Sequence, residues 1–232
     1  MTALLSRILV RSFQDLREES FLLILFNFLW MAGSFPGMVL LGYGAVARFL
    51  PLALLGLLLL LPWPVATFAL FQTAADIGER RVVSLGSFLR AGLRTWKVAF
   101  AWAGMTLIVL ALLLSNARYY GTGASSLGES LEASLISSFM VTLTTLWCIW
   151  QGMTLALYPH LRRPGLVAAF RGAGRLIVRQ PIPVFLAGLV ATLLLAGGVA
   201  FPPLGLLYSF SLVAVVANRT VVESSRGLRL EA

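Results

Sequence analysis

The sequence predicts an all-α protein of the polytopic membrane class: a bundle of six transmembrane helices with an N-terminal interfacial helix and two amphipathic elbow helices. Three observations carry that prediction. Five long stretches, Phe21 to Ala47, Phe49 to Ala75, Val98 to Ala117, Ala133 to Pro159 and Gln180 to Asn218, hold no charged side chain, and a helix needs only ~20 apolar residues to cross the hydrocarbon core. The composition agrees, with 59% of the 232 residues hydrophobic and 12% charged, outside the range of soluble domains. The third observation is that the basic residues crowd the gaps on one side of the stretches.

Arg7, Arg11 and Arg17 precede the first stretch, and Arg80, Arg81, Arg90, Arg94 and Lys97 separate the second from the third. Arg162, Arg163, Arg171, Arg175 and Arg179 separate the fourth from the fifth, and Arg219, Arg226 and Arg229 close the chain. Of the 18 basic residues only Arg48 and Arg118 fall elsewhere. The positive-inside rule then places both termini and both long connections in the cytoplasm. The net charge of +9 follows from topology and from anionic headgroups, worth ~1 kcal/mol per basic residue near the surface. Nucleic acid is not an expected partner.

The chain reads as one domain over residues 1–232. Residues 3–18 set Leu5, Ile8, Leu9, Phe13 and Leu16 at helical spacing, with Arg7, Arg11, Asp15 and Glu18 on the other side, which predicts an amphipathic helix in the inner interface. The first span covers 21–46 and reads as uncleaved, because a signal-peptide core is only ~7 to 15 residues long. The second covers 50–75. Kinks are expected at Pro36 in the first span and at Pro62 and Pro64 in the second, since an interior proline removes a helical hydrogen bond.

An elbow helix follows at 84–97, with Leu85, Phe88, Leu89, Leu93 and Trp96 as an apolar stripe and Arg90, Arg94 and Lys97 as a basic one. The third span is 98–119. The connection from Tyr119 to Glu132, rich in glycine and serine, lacks periodicity. The fourth span is 132–158. The second elbow, 164–179, repeats the first design with Leu166, Phe170, Ala173 and Ile177 against Arg171, Arg175 and Arg179. Aligned without gaps, Arg80, Arg81, Phe88, Ala91 and Gly92 fall on Arg162, Arg163, Phe170, Ala173 and Gly174, the pattern of a parallel internal repeat. Gly197, Gly198, Pro202 and Pro203 divide the last stretch into spans at 182–200 and 204–222.

No acid, lysine or arginine stands in the middle of a span, and all nine acids belong to interfaces or loops, which argues against proton coupling through a buried carboxylate. His160 and Cys148 do not make a metal site, and no cofactor is expected. The hydroxyls of the fourth span, Ser134, Ser137, Ser138, Thr142, Thr144 and Thr145, have no base beside them and suit helix packing. No catalytic residue is expected. Gly33 and Gly37 form a GxxxG packing notch. The amides Asn27, Gln72 and Gln151 fall at similar depth near the inner face, with Asn218 at the end of the last span. Each needs a partner in a dry environment, and the sequence leaves two readings open: a structural layer, or a polar cavity facing the cytoplasm.

Several ordered features resemble the YesL-like family of bacterial membrane proteins: Asn27 to Trp30 (NFLW) followed by Ser34, Phe35 and Pro36, the arginine-rich elbow with Phe88 and Trp96, Asn116 to Tyr119 (NARY) and Asn218 to Val221 (NRTV). Gly37, Met38 and Val39 replace the threonine-containing stretch of that family. The resemblance implies a helical bundle in the bacterial inner membrane and a link to solute uptake, without an activity. The expected function is a non-catalytic accessory, scaffold or interaction subunit. Its expected partners are anionic lipid headgroups and either another membrane protein or a second copy. The alternative is a small-solute transporter or channel component working through the amides and kinked helices.

Overall fold

A computed structural model describes residues 2–122, 130–201, 205 and 207–225. Regular structure among them is helical throughout: α1 (Thr2–Glu18), α2 (Ser20–Val46), α3 (Leu50–Leu59), α4 (Pro62–Gly78), α5 (Leu85–Gly121), α6 (Leu131–Leu157), a 3-10 turn (Tyr158–His160), α7 (Leu166–Arg179), α8 (Pro181–Ala200) and α9 (Ser209–Ser225). Five segments are long and apolar enough to cross a membrane: Ser20–Val46, Leu50–Gly78, Leu85–Gly121, Leu131–His160 and Pro181–Gly198. Their outer surfaces expose Leu54, Leu58, Ile108, Leu112, Leu135 and Phe139. A surface so continuously apolar belongs to a helical membrane protein, not to a water-soluble one.

Two expectations need correction, those on the first elbow and on the packed face of α1. The first elbow is not a separate helix, because α5 runs unbroken for 37 residues from a Ser84 capping box to Gly121, about 55 Å at helical rise. Nothing between Trp96 and Phe100 ends it, whereas Gln180, Pro181 and Pro183 do end the second elbow, leaving α7 and α8 distinct. The proposed repeat is therefore broken on one side.

The second span is one apolar stretch, Leu50–Gly78, interrupted at the expected proline into α3 and α4. Leu60 and Leu61 form a turn before Pro62, with Leu60 N–H bonded to Gly56 O and Leu61 N–H to Leu58 O. Pro62 then occupies the first position of α4, where its missing N–H costs nothing. Pro36, by contrast, lies inside α2 without ending it.

The interfacial helix does not float apart on its apolar stripe. α1 packs along α9 with Ile8, Ser12 and Asp15 buried and Phe13 turned outward, so Asp15 belongs to the packed face. The sixth element is described only in part. α9 is described over 17 residues, the start of the expected span and the residues of its turn at 202–204 lie outside the described residues, and α9 is not among the spanning candidates. Its first turn meets α2 at Asn27 and Trp30, about 10 to 15 Å along the α2 axis from Ser20 and far short of Val46.

α9 is the hub of the fold, touching α1, α2, α4, α6, α7 and α8. Ser211, Ala214, Val215, Asn218, Thr220, Val221 and Ser224 are all buried. Aromatic pairs fill the space beside it: Trp30 stacks on Phe210 at 3.7 Å, Phe26 on Phe88 at 4.9 Å, and Phe68 meets Tyr158 edge-on at 5.3 Å. The outer halves of α2 and α3 pack with almost no side chain between them. A Cβ at Gly37 would stand 2.6 Å from the Leu60 nitrogen, and one at Gly44 2.5 Å from the Ala53 nitrogen, so the GxxxG glycine Gly37 is a packing notch for α3. Within a bilayer such close backbone contact supplies the dispersion energy that burial from water cannot.

Candidate functional site

Polar chemistry gathers at the end of the bundle that carries most of the arginines. Antiparallel pairing of α1 with α9 sets Arg11 opposite Glu223 and Asp15 opposite Arg219. Arg219 grips Asp15 through both Nε and Nη2, with the two side chains only 11% and 10% exposed. The preceding residue, Asn218, donates to Phe71 O at 3.2 Å and to Ala214 O at 2.9 Å. That fixes its Oδ1 toward His160 Nε2, 3.2 Å away. The other imidazole nitrogen lies 3.4 Å from Glu79, and Glu79 pairs with Arg81 at 2.6 Å. A polar chain thus leads from the buried α9 to the α4–α5 turn.

Beside it a cleft of about 630 Å³ opens between α4, α5 and the 3-10 turn. Ser87, Arg90, Ala91, Arg94 and Thr95 form its α5 wall, Gln72, Asp76 and Arg81 its α4 side, and Tyr158 its floor near the α6 end. The local cause is the helix periodicity of α5. Phe88 and Gly92 turn toward the core, where Gly92 admits Val65 and Ala69 of α4. Leu85, Leu89, Leu93 and Trp96 turn outward, which leaves Arg90 and Arg94 on the third side. Lys97 stands outside the cleft, over the Trp96 ring at 5.6 Å. On α7, Arg171, Arg175 and Arg179 are exposed, while Gly174 packs on Trp150 and Phe170 stacks on it at 4.6 Å.

The four amides do not share one layer. Asn27 is fully buried and caps α9 from another helix: Oδ1 accepts from Phe210 N–H at 3.0 Å and Ser211 N–H at 3.2 Å, and Nδ2 donates to Gly205 O at 3.0 Å. Asn218 belongs to the His160 chain. Gln72 lines the basic cleft. Gln151 is 3% exposed, and among the described residues neither amide atom has a hydrogen-bond partner. Similar depth in the sequence did not fix the direction in which each side chain points.

Sequence reasoning missed the two ion pairs of α1 and α9 and the role of His160. A signal existed, because Arg11 and Asp15 stand four residues apart, and Arg219 and Glu223 repeat the spacing with the charges in register for antiparallel helices. Among the described residues no group of three or more metal-ligating side chains comes together. The hydroxyls of Thr142, Thr144 and Thr145 bond the carbonyls four residues earlier on their own helix, and Ser137 bonds Ala117 O of α5. No family model, curated protein or solved structure matches the chain.

Proposed function

We propose that the protein is a non-catalytic interaction subunit of the bacterial inner membrane, with its basic end in the cytoplasm as its working face. One observation carries this reading. The interior beside α9 is closed by packed aromatic rings, whereas the cleft, with Arg90 and Arg94 on its wall, lies at the basic end. The excess of arginine on that end supports a cytoplasmic placement, and the resemblance to the YesL-like family agrees without adding an activity. On this reading the start of α9 lies level with the inner part of α2.

Photo-crosslinkers placed at Arg171 and Arg175 test the reading in membranes. It requires a stoichiometric membrane partner, or a second copy of the chain, captured from the basic end. A lone protein that conducts solute in liposomes would overturn it. Reporter fusions must give a cytoplasmic signal near Arg171 and an external one at Gly121.

A transporter or channel component is the second reading. It is favoured by the break at Leu60 and Leu61, by the start of α9 inside the bundle and by the unpartnered amide of Gln151, since interrupted helices can line a transport site. Solute flux lost on Gln151→Leu but retained in Asn116→Leu would support it.

A further inference from the structure

We propose that the cleft between α4, α5 and the Tyr158–His160 turn binds the phosphate of an anionic phospholipid headgroup. This rests on the basic end being the inner membrane boundary. The charge balance of the walls is the first argument. Three guanidiniums, Arg81, Arg90 and Arg94, face one carboxylate, Asp76. Arg81 is already occupied by Asp76 at 3.3 Å and Glu79 at 2.6 Å. Arg90 and Arg94 form no ion pair among the described residues, and the hydrogen bond described for Arg90 is a long one, 3.4 Å from Nε to its own helix at Gly86 O. Standing four residues apart, they are neighbours on one helix face and can close on a single phosphate, the anion that paired guanidiniums recognise best.

The second argument is the shape of the site. A volume of about 630 Å³ holds a phosphate together with its glycerol and leaves Gln72 and Tyr158 on the wall as neutral hydrogen-bonding groups. Next to each free arginine is an outward leucine, Leu89 beside Arg90 and Leu93 beside Arg94, exposed by 53% and 69%. Leu85 and Trp96 extend that strip along α5. An acyl chain can follow the leucines while its headgroup sits in the cleft, and Trp96 is the residue type that marks a membrane interface. Basic pockets between helices on the cytoplasmic side are suited to such headgroups. The exposed leucines favour a lipid over a soluble phosphate.

Calorimetric titration of the full chain in a neutral detergent tests the assignment, with dihexanoyl phosphatidate, dihexanoyl phosphatidylcholine and inorganic phosphate as probes. Saturable binding of one phosphatidate per chain is expected, with no saturation by the choline lipid. The double variant R90Q/R94Q should bind phosphatidate about 30-fold more weakly, while R171Q/R175Q, which alters equal charge outside the cleft, stays within about 2-fold. Undiminished binding by R90Q/R94Q, or an equal loss in R171Q/R175Q, overturns the site. Inorganic phosphate that binds as tightly as phosphatidate overturns the lipid and leaves a soluble phosphate ester as the ligand. Both failures differ from that of the functional reading, which is read by crosslinking, reporter fusions and solute flux and not by phosphatidate binding.

Discussion

Asn27→Leu should uncouple the start of α9 from α2. The substitution keeps the side-chain volume almost unchanged, so its effect reports hydrogen bonds more than a cavity. Three bonds to the α9 segment disappear, from Phe210 N–H, from Ser211 N–H and to Gly205 O, at a residue with no exposure. Interhelical hydrogen bonds within bilayers average ~0.6 kcal/mol and reach ~1.7 kcal/mol. Three of them give about 2 to 5 kcal/mol, the upper part applying if water does not reach the orphaned N–H groups of α9. For a chain of this size that corresponds to a fall of roughly 5 to 15 °C in the unfolding midpoint. Thermal unfolding in a mild detergent reads the loss, and amide exchange at Phe210 and Ser211 locates it. Asn116→Leu is the control, because among the described residues its Nδ2 bonds Leu112 O alone, on an exposed face, and a change within ~0.5 kcal/mol is expected there. A loss below ~1 kcal/mol for Asn27→Leu, with exchange at α9 unaltered, would refute the inter-helix cap.

The ion pair between α1 and α9 should behave as a buried one. Asp15→Leu or Arg219→Met alone costs about 3 to 5 kcal/mol and exposes α1 to protease, while the double variant recovers most of the stability; additive losses would show that the pair is not coupled. Gly56→Ala places a Cβ against the Leu41 backbone, and should cost ~1 to 3 kcal/mol or more by splaying α2 from α3; an unchanged unfolding midpoint contradicts that contact. Gln151→Leu removes two unpartnered buried polar atoms, and should stabilise the chain by ~1 to 3 kcal/mol without loss of the crosslinked partner; a fall in stability would point to a bound ligand or water holding the amide. In a Cys148→Ser background, Gly121→Cys should react with a membrane-impermeant maleimide from outside and Phe201→Cys should not. Reaction at both would restore two full spans for α8 and α9.

How much of this was legible in the sequence depends on what ends a helix. The apolar stretches matched α2, α3 with α4, α6 and α8 closely, because the free energy of desolvating charge fixes where a span stops. The amphipathic stripe of the first elbow was equally visible, with Leu89 and Leu93 outward and Phe88 inward. Its separation from the third span was not real, since an amphipathic stretch can continue directly into a fully apolar one when no proline or cap intervenes. Asp15 failed for another reason. Its partner Arg219 lies 204 residues away, and periodicity within one helix does not reveal a charge that a distant helix brings. The amides failed similarly: helix position gave their depth, but azimuth decides whether Gln72 faces a cleft and Asn27 a helix end.

α9 shows the limit of hydropathy most directly. Hydropathy measures preference for lipid over water, and a helix enclosed by other helices meets neither. Ser209, Ser211, Asn218, Thr220 and Ser224 are therefore compatible with a central position, because each faces protein: Ser209 Oγ bonds Leu194 O, Thr220 Oγ1 bonds Val216 O, and Asn218 bonds α4. This polar helix end is thus also a buried one, and its charged turn, Arg219 to Glu223, is neutralised by α1. That pairing explains why α1 follows α9 instead of lying free. With α1 committed inward, the arginines of α5 and α7 are left as the accessible charge of the working face.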